Sequence, residues 1–504
     1  MKYGTKKVCF FERIRPMKIR KMKIVLIFCA TTMAFTALGN LIPMPRKMTR
    51  MAGVCRNIAI RVEKKAGVPS EGYELSINGD GIVIRHSDDA GLFYANVTLG
   101  QLQATAKENG EALPCVEIVD SPRFSWRGVH LGESQRLFGK KTIKQMLDLM
   151  SRYKFNVFHW HFVDTKGCRI DMPAYPKLAR ASARAGLCED EKALFYSAND
   201  VKEILAYAKE RHIRIVPEFE FPGHFGAVTA AYPDFKCPVK VKASRNVMCV
   251  GNPETIRFAE KILDYLCELF PGEVIHIGGD ECSREPWKKC PRCQAFARSK
   301  GMRDVRELQS WLTKHLAQYL AAKGRKTIGW EEIVMGHGKL DANLKITYEG
   351  LLEQSLLPEK STMVMGWHLE GGARSANMGY DVVMCPTKNC YFDFSQQIQD
   401  DPFVYFQPKK RFLTFENAYK FDPFTGVDAD TRHHIVGGQC CNWTLYTYGR
   451  RELEWKMWPR AFAPAEVLWS YPDPGKRDFT EFSARAARHR RRLIQNHVNC
   501  APVK

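Results

Sequence analysis

The segment His276-Ile277-Gly278-Gly279-Asp280-Glu281 closes the apolar run Val274 to Ile277 with two glycines and then two adjacent carboxylates. A buried strand has no packing use for acids at its end, so the pair points to a task outside the core. Upstream, Pro253 to Phe270 has the spacing of an amphipathic helix leading into this strand. Downstream, Val305 to Ala322 leads in the same way into Thr327-Ile328-Gly329-Trp330. Helices alternating with short apolar strands predict a parallel sheet.

The alternation continues in both directions. Lys140 to Lys154 places Ile143, Met146, Leu147, Leu149 and Met150 at helical spacing before Phe155 to Phe162, and Asp200 to His212 precedes Ile213 to Val216. Later strand candidates are Met363 to Trp367, Asp381 to Met384 and His434 to Gly438. These strands end in residues that a core would not choose: His159-Trp160-His161 with Asp164, Glu218-Phe219-Glu220 before His224, Asp280-Glu281, Trp330-Glu331-Glu332, Trp367-His368 and Asn442-Trp443. Functional residues collected at the C-terminal ends of successive parallel strands predict an α/β fold, a (β/α)8 TIM barrel over residues 121–504 with a C-terminal helix. An open doubly wound sheet is the competing arrangement, but no glycine-rich phosphate fingerprint supports it.

Residues 40–120 follow a different rule. Alternating runs at Tyr73 to Ile77 and Ile82 to Arg85 flank Asn78-Gly79-Asp80-Gly81, a hairpin signal, and a helical stretch, Ala90 to Ala106, follows. They predict a small α+β accessory domain that ends at Asp120-Ser121-Pro122.

The net charge of +21 raises the question of nucleic acid, and its placement answers it. Residues 1–39 hold nine Lys/Arg and one acid ahead of the apolar run Ile24 to Leu38 and the small residues Ala37 and Gly39, the order of a signal peptide. The run is short for a membrane span. The chain is therefore expected to be exported, to the periplasm or beyond the cell, with no stable membrane insertion after cleavage. Cys29 follows the large Phe28, which is unlike a lipoprotein signal. A second basic cluster, Arg485 to Arg492, lacks aromatic stacking partners and is expected to be a solvated helix face and not a nucleic-acid site.

Seventeen cysteines in an exported chain allow disulfides, and the odd count leaves at least one thiol over. Cys282, Cys290 and Cys293 form the tight cluster, but a zinc site needs a fourth ligand, and the nearby sequence offers none at usual spacing. No metal is expected.

The two glycines of the opening segment predict a bent backbone with room for a ligand against the main chain. An acid on a rim lined with Trp330, Trp367 and Trp443 is expected to have a raised pKa, as a general acid requires. Aromatic walls with acids and an arginine suit sugar rings, and glycoside hydrolysis usually needs two carboxyls on opposite sides of the bond. Adjacent residues divide that labour badly, so one of the pair is expected to do something other than attack the sugar carbon.

These residues reach a family. The chain resembles glycoside hydrolase family 20, the β-N-acetylhexosaminidases, whose hallmark is a His-x-Gly-Gly-Asp-Glu segment ending the fourth barrel strand. The likeness runs from about Glu71 to Val498 through an ordered series: Pro122 to Gly128, Tyr153 to Asp164, Ile215 to His224, His276 to Glu281, Gly329 to Ile333, Cys385 to Asp393 and Pro459 to Trp469. It implies an exo-acting retaining hydrolase whose substrate supplies its own nucleophile, the 2-acetamido oxygen, through an oxazolinium intermediate. Glu281 would be the acid and base, Asp280 would orient the acetamido group, and Tyr391 would donate to its oxygen. Asp164 and His224 would tune Glu281. Trp330, Trp367 and Trp443 would wall the sugar, while Arg127 and Asp393 would bind its hydroxyls. The implied partner is an N-acetylhexosamine-containing oligosaccharide or glycoconjugate (GlcNAc or GalNAc). No cofactor is implied, and a homodimer is compatible with the resemblance.

The chain also departs from the family pattern. Leu131-Gly132-Glu133-Ser134-Gln135 stands where Leu-Asp-x-Ser-Arg is usual, Thr165-Lys166-Gly167-Cys168 where Asp-Gln-Gly-Trp is common, and Leu445 where an acid that binds outer hydroxyls is typical. These changes motivate a second reading, a catalytically weakened carbohydrate-binding homologue.

Overall fold

The computed structural model describes residues 37–181, 186–187, 193–336, 338–340, 346–348, 357–396, 401–403 and 412–503. The signal-like segment thus lies almost wholly outside the described residues. No helix among the described residues is long and apolar enough to cross a membrane.

The first sheet contains β1 (Lys47–Val54), β2 (Ile60–Lys64), β3 (Tyr73–Asn78), β4 (Gly81–His86) and β5 (Pro114–Asp120), in the order β1-β5-β3-β4-β2. The expected hairpin joins β3 to β4, where the Asn78 side chain accepts hydrogen bonds from the Asp80 and Gly81 amides at 2.9 and 3.1 Å. The helix Asp89–Asn109 covers this sheet; Asp88 caps its start by accepting from the Gly91 amide, and Gly110 ends it in the left-handed region at φ 68°.

The remaining eight principal strands close into a barrel. In chain order they are β6 (Trp126–Gly132), β7 (Val157–His161), β8 (Arg214–Glu218), β9 (Val274–His276), β10 (Lys326–Trp330), β11 (Thr362–Gly366), β12 (Asp381–Met384) and β13 (Ile435–Trp443). Each pairs in parallel with its sequence neighbour, and β13 returns to β6. The helix Gly139–Arg152 packs Ile143, Met146, Leu147, Leu149 and Met150 against the barrel, all buried. Each such side chain contributes roughly 1.5–3 kcal/mol of burial. The helix Ala198–Lys209 starts with a reciprocal capping box between Ser197 and Asp200.

The C-terminal helix, Phe479–Gln495, corrects one expectation. Its basic cluster is not a solvated face throughout: Arg485 is buried and bridges Glu466 and Glu481 at 2.8 and 2.7 Å, and Arg492 pairs with Glu108 of the first helix at 2.6 Å. The Arg492 pair fastens the helix to the sheet-bearing part of the chain, while Arg491 stays exposed.

Candidate active site

A cavity of about 720 Å³ opens at the C-terminal ends of the barrel strands. Asp164, His224, Asp280, Glu281, Trp330, Trp367, Tyr391, Asp393 and Trp443 all line it. Nine of the ten expected site residues, drawn from positions up to 279 apart in the chain, therefore share one wall.

Arg127 is the exception. It is the second residue of β6 and so lies at the opposite, N-terminal end of the barrel. There it is 1% exposed and bonds the Glu71 carboxylate at 2.8 Å, the Phe124 and Lys154 carbonyls at 2.8 Å each and the Tyr94 hydroxyl at 3.2 Å. A guanidinium with every arm engaged below the barrel cannot reach a sugar above it. The same strand delivers Gly132 to the cavity five residues later.

The acids converge on one imidazole. His224 Nδ1 lies 2.9 Å from Asp164, and its Nε2 lies 3.3 Å from Asp280 Oδ2 and 3.5 Å from Glu281 Oε2. His224 and Glu281 both hold positive φ, 48° and 46°, where a non-glycine residue is strained. That geometry turns both side chains toward the same point. Burial opposes a charge on His224, but the Asp280 charge and hydrogen bonds with Asp164 and Glu281 prevail and hold its pKa well above the ordinary histidine value. Asp164, although buried, is drawn down to about 2 by the same histidine.

The two neighbouring acids are driven in opposite directions. Burial, reinforced by the charges of Glu281 and Glu218, pushes Asp280 up to about 6 against the pull of His224. Glu281 is held below its ordinary value by the His224 hydrogen bond, and its side chain is 60% exposed. The expectation that the rim would raise the Glu281 pKa therefore fails for the open site, because the tryptophans do not cover this carboxyl and an imidazolium stands beside it.

The two glycines need another explanation as well. Gly278 and Gly279 hold φ of 70° and 111°, and a β-carbon would run into the Glu220 carboxyl at the first and the Ile333 methyl at the second. The space is taken by protein, not reserved for a ligand. The glycines let the chain turn sharply after β9, so that Asp280 drops into the cavity and Glu281 rises from it.

The aromatic wall is continuous. Trp330 and Trp443 lie 5.8 Å apart between ring centroids, Tyr391 lies 6.2 Å from Trp443, and Tyr391 and Trp367 are near-parallel at 6.3 Å. Trp330 donates to Glu218 at 2.9 Å and Trp367 to Glu332 at 3.1 Å, which fixes both indoles.

Glu331, Glu332 and His368, at the ends of β10 and β11, have no role that their local sequence reveals. Glu332 accepts from the Glu281 amide at 3.3 Å, and burial beside Glu331 and Asp280 pushes its pKa well above the carboxylate range. Glu331 accepts from His368, the Trp367 amide and Tyr348 at 2.6, 2.8 and 3.0 Å. The signal was present as two acids directly after a barrel strand, but only the fold shows that they brace Glu281 and Trp367. Gly132, Gln135 and Leu445, the departures noted above, all line the same cavity.

Comparison with known proteins bears on the family and the fold. The profile described as glycosyl hydrolase family 20, catalytic domain, matches residues 124–472, and that of glycosyl hydrolase family 20, domain 2, matches residues 46–121. A beta-hexosaminidase of Porphyromonas gingivalis is 33% identical over 459 residues, covering 88% of this chain and 56% of the relative. The chain thus spans little more than half the length of that protein. A beta-hexosaminidase of Akkermansia muciniphila is 27% identical over 91% of each chain. The crystal structure of a beta-N-acetylhexosaminidase from Bacteroides fragilis superposes with a TM-score of 0.77 at 28% identity, covering 92% of this chain and 97% of that one. With the barrel, the acid pair and the aromatic wall in place, the chain belongs to glycosyl hydrolase family 20.

Proposed function

We propose that this chain is an exo-acting β-N-acetylhexosaminidase that releases terminal N-acetylhexosamine with retention of configuration, the substrate's acetamido oxygen serving as nucleophile. One observation carries the reading: Asp280 and Glu281 both approach the same nitrogen of His224, at 3.3 and 3.5 Å. Their carboxylate oxygens also lie within 4.8 Å of each other, closer than the roughly 5–9.5 Å that separates two carboxyls working on opposite faces of a glycosidic bond. The attacking group must then come from elsewhere, and the sugar's own acetamido oxygen is the economical source.

In this reading Glu281 protonates the leaving oxygen and later takes a proton from water. A bound sugar covers its exposed carboxyl, removes water from it and so raises its proton affinity. Asp280 faces the acetamido nitrogen, where its charge steadies the positive oxazolinium-like intermediate. The Tyr391 hydroxyl donates to the acetamido oxygen, and Trp330, Trp367 and Trp443 pack on the ring and methyl group. Asp393 takes a hydroxyl. Trp330, 1% exposed, forms part of the cavity lining, and in this reading the terminal sugar packs on it. Gly132, Gln135 and Leu445 then bear on the outer hydroxyls and on GlcNAc versus GalNAc preference more than on proton transfer. The basic, apolar N-terminal segment supports an exported location.

Release of an aryl leaving group from an N-acetyl-β-glucosaminide, compared with the matching glucoside and with Glu281→Gln, tests this. The expected result is turnover of the N-acetyl substrate alone, strong inhibition by a thiazoline mimic, and loss of roughly 10²–10⁴-fold in Glu281→Gln. Equal turnover of both sugars would overturn the substrate-assisted assignment.

A further inference from the structure

A second cluster of reactive groups lies in the segments that follow β8 and β9. Cys237, Cys249, Cys290 and Cys293 are each fully buried, and their four sulfurs lie within 4.8 Å of one another. Cys237 and Cys293 are 3.6 Å apart, and Cys249 is 3.8 Å from both Cys290 and Cys293. The sequence made Cys282 the companion of Cys290 and Cys293. In the fold Cys282 is outside the group, and the missing ligands come from a segment that lies 41 to 56 residues earlier in the chain.

We propose that Cys237, Cys249, Cys290 and Cys293 form a structural zinc site. Tetrahedral zinc holds thiolates at about 2.3 Å, which by geometry places the sulfurs about 3.8 Å apart, the spacing found here. Two disulfides need two separate pairs at about 2.05 Å, whereas here Cys249 and Cys293 each have two near sulfur neighbours, as four ligands around one centre do. The local chain is built for it. Cys290-Pro291-Arg292-Cys293 has the C-x2-C spacing of zinc ligands, with Cys290 at the start of the helix Pro291–Ser299 and Cys293 in its first turn. Opposite, the Cys249 amide donates to the Phe235 carbonyl and Lys236 bridges Met248, which brings Cys237 and Cys249 side by side. Binding would displace the thiol protons and leave four thiolates on one zinc(II) ion.

The consequence is mechanical. The loop holding Cys237 and Cys249 follows β8 and His224, and the segment holding Cys290 and Cys293 follows β9 and Glu281. The two segments also meet where Trp287 donates to the Met248 carbonyl at 2.9 Å and where Gly251 abuts the backbone of Arg292. A zinc ion here would lock together the two loops that set the His224–Asp280–Glu281 geometry.

The test is elemental analysis of the full-length chain produced in zinc-supplemented medium, with intact mass under denaturing, non-reducing conditions. The expected result is about one zinc per chain, its release as an organomercurial caps the four thiolates as mercaptides, and a concurrent fall in Tm. Protein grown with cobalt should show thiolate-to-cobalt charge transfer and tetrahedral ligand-field bands. Cys237→Ser and Cys293→Ser should lose the metal, and Cys267→Ser, which is outside the cluster, should keep it. If the cluster variants fail to fold, wild-type stoichiometry and the cobalt spectrum still decide. Metal-free, folded protein would overturn the proposal, whether its mass is lower by four hydrogens, meaning two disulfides, or unchanged, meaning four free thiols.

Discussion

Replacing Asp164 by Asn isolates the electrostatic role of the carboxylate behind His224. The amide oxygen can still accept from Nδ1 at 2.9 Å, so the imidazole keeps its orientation and only the charge is lost. A hydrogen bond to a charged group contributes roughly 1.5–3 kcal/mol against about 1 for a neutral pair, a difference of about 0.5–2 kcal/mol. At 1.36 kcal/mol per pKa unit, His224 should release its proton about one unit earlier. The sign carries through the set: removing a negative charge lowers the proton affinity of His224, Asp280 and Glu281 alike. The alkaline limb of kcat/KM should therefore move down by about one pH unit, with the acid limb of the set moving the same way. Aryl-glycoside release measured from acid to alkaline pH gives the profile, and histidine NMR titration reports His224 directly. An unmoved alkaline limb, with activity merely scaled down, would refute the reasoning and leave Asp164 a purely structural partner.

Three further outcomes are expected. Arg127→Met should cost about 3 kcal/mol of stability in urea unfolding, since the Phe124 and Lys154 carbonyls lose buried donors, while KM stays unchanged because the residue is at the far end of the barrel. Gly278→Ala should destabilise by roughly 1–3 kcal/mol or abolish folding, since a β-carbon at φ 70° meets the Glu220 carboxyl; a thermal melt like that of wild type would show that the turn relaxes. Leu445→Asp places an acceptor on the cavity rim, where the side chain is 51% exposed, and should raise kcat/KM for an N-acetylglucosaminide by about tenfold. No gain would place recognition of the outer hydroxyls on another part of the wall.

Much of this molecule was legible in its sequence because strands and helices announce themselves by local periodicity. The amphipathic pattern before β7 and the turn signal between β3 and β4 both predicted elements that the fold contains. The residues at the C-terminal ends of the strands were legible for a related reason: polar and aromatic groups placed where an apolar run stops have no packing purpose. Arg127 misled because a strand has two ends, and five residues of extended chain separate a domain-fastening guanidinium from the cavity.

By itself the sequence determined seven of the eight barrel strands in order and the acid pair that follows one of them, while the first strand, Trp126–Gly132, and the closure of the sheet were left to the fold. Those follow from hydrophobic period and chain order, which are properties of neighbours. Only the tertiary structure decided that Asp280 is buried and raised to about 6 while Glu281 stands exposed and lowered, that Gly278 and Gly279 make room for Glu220 and Ile333, and that Cys237 and Cys249 meet Cys290 and Cys293. Desolvation and charge act through space over a few ångströms, between loops that lie dozens of residues apart in the chain, and no local pattern encodes that distance.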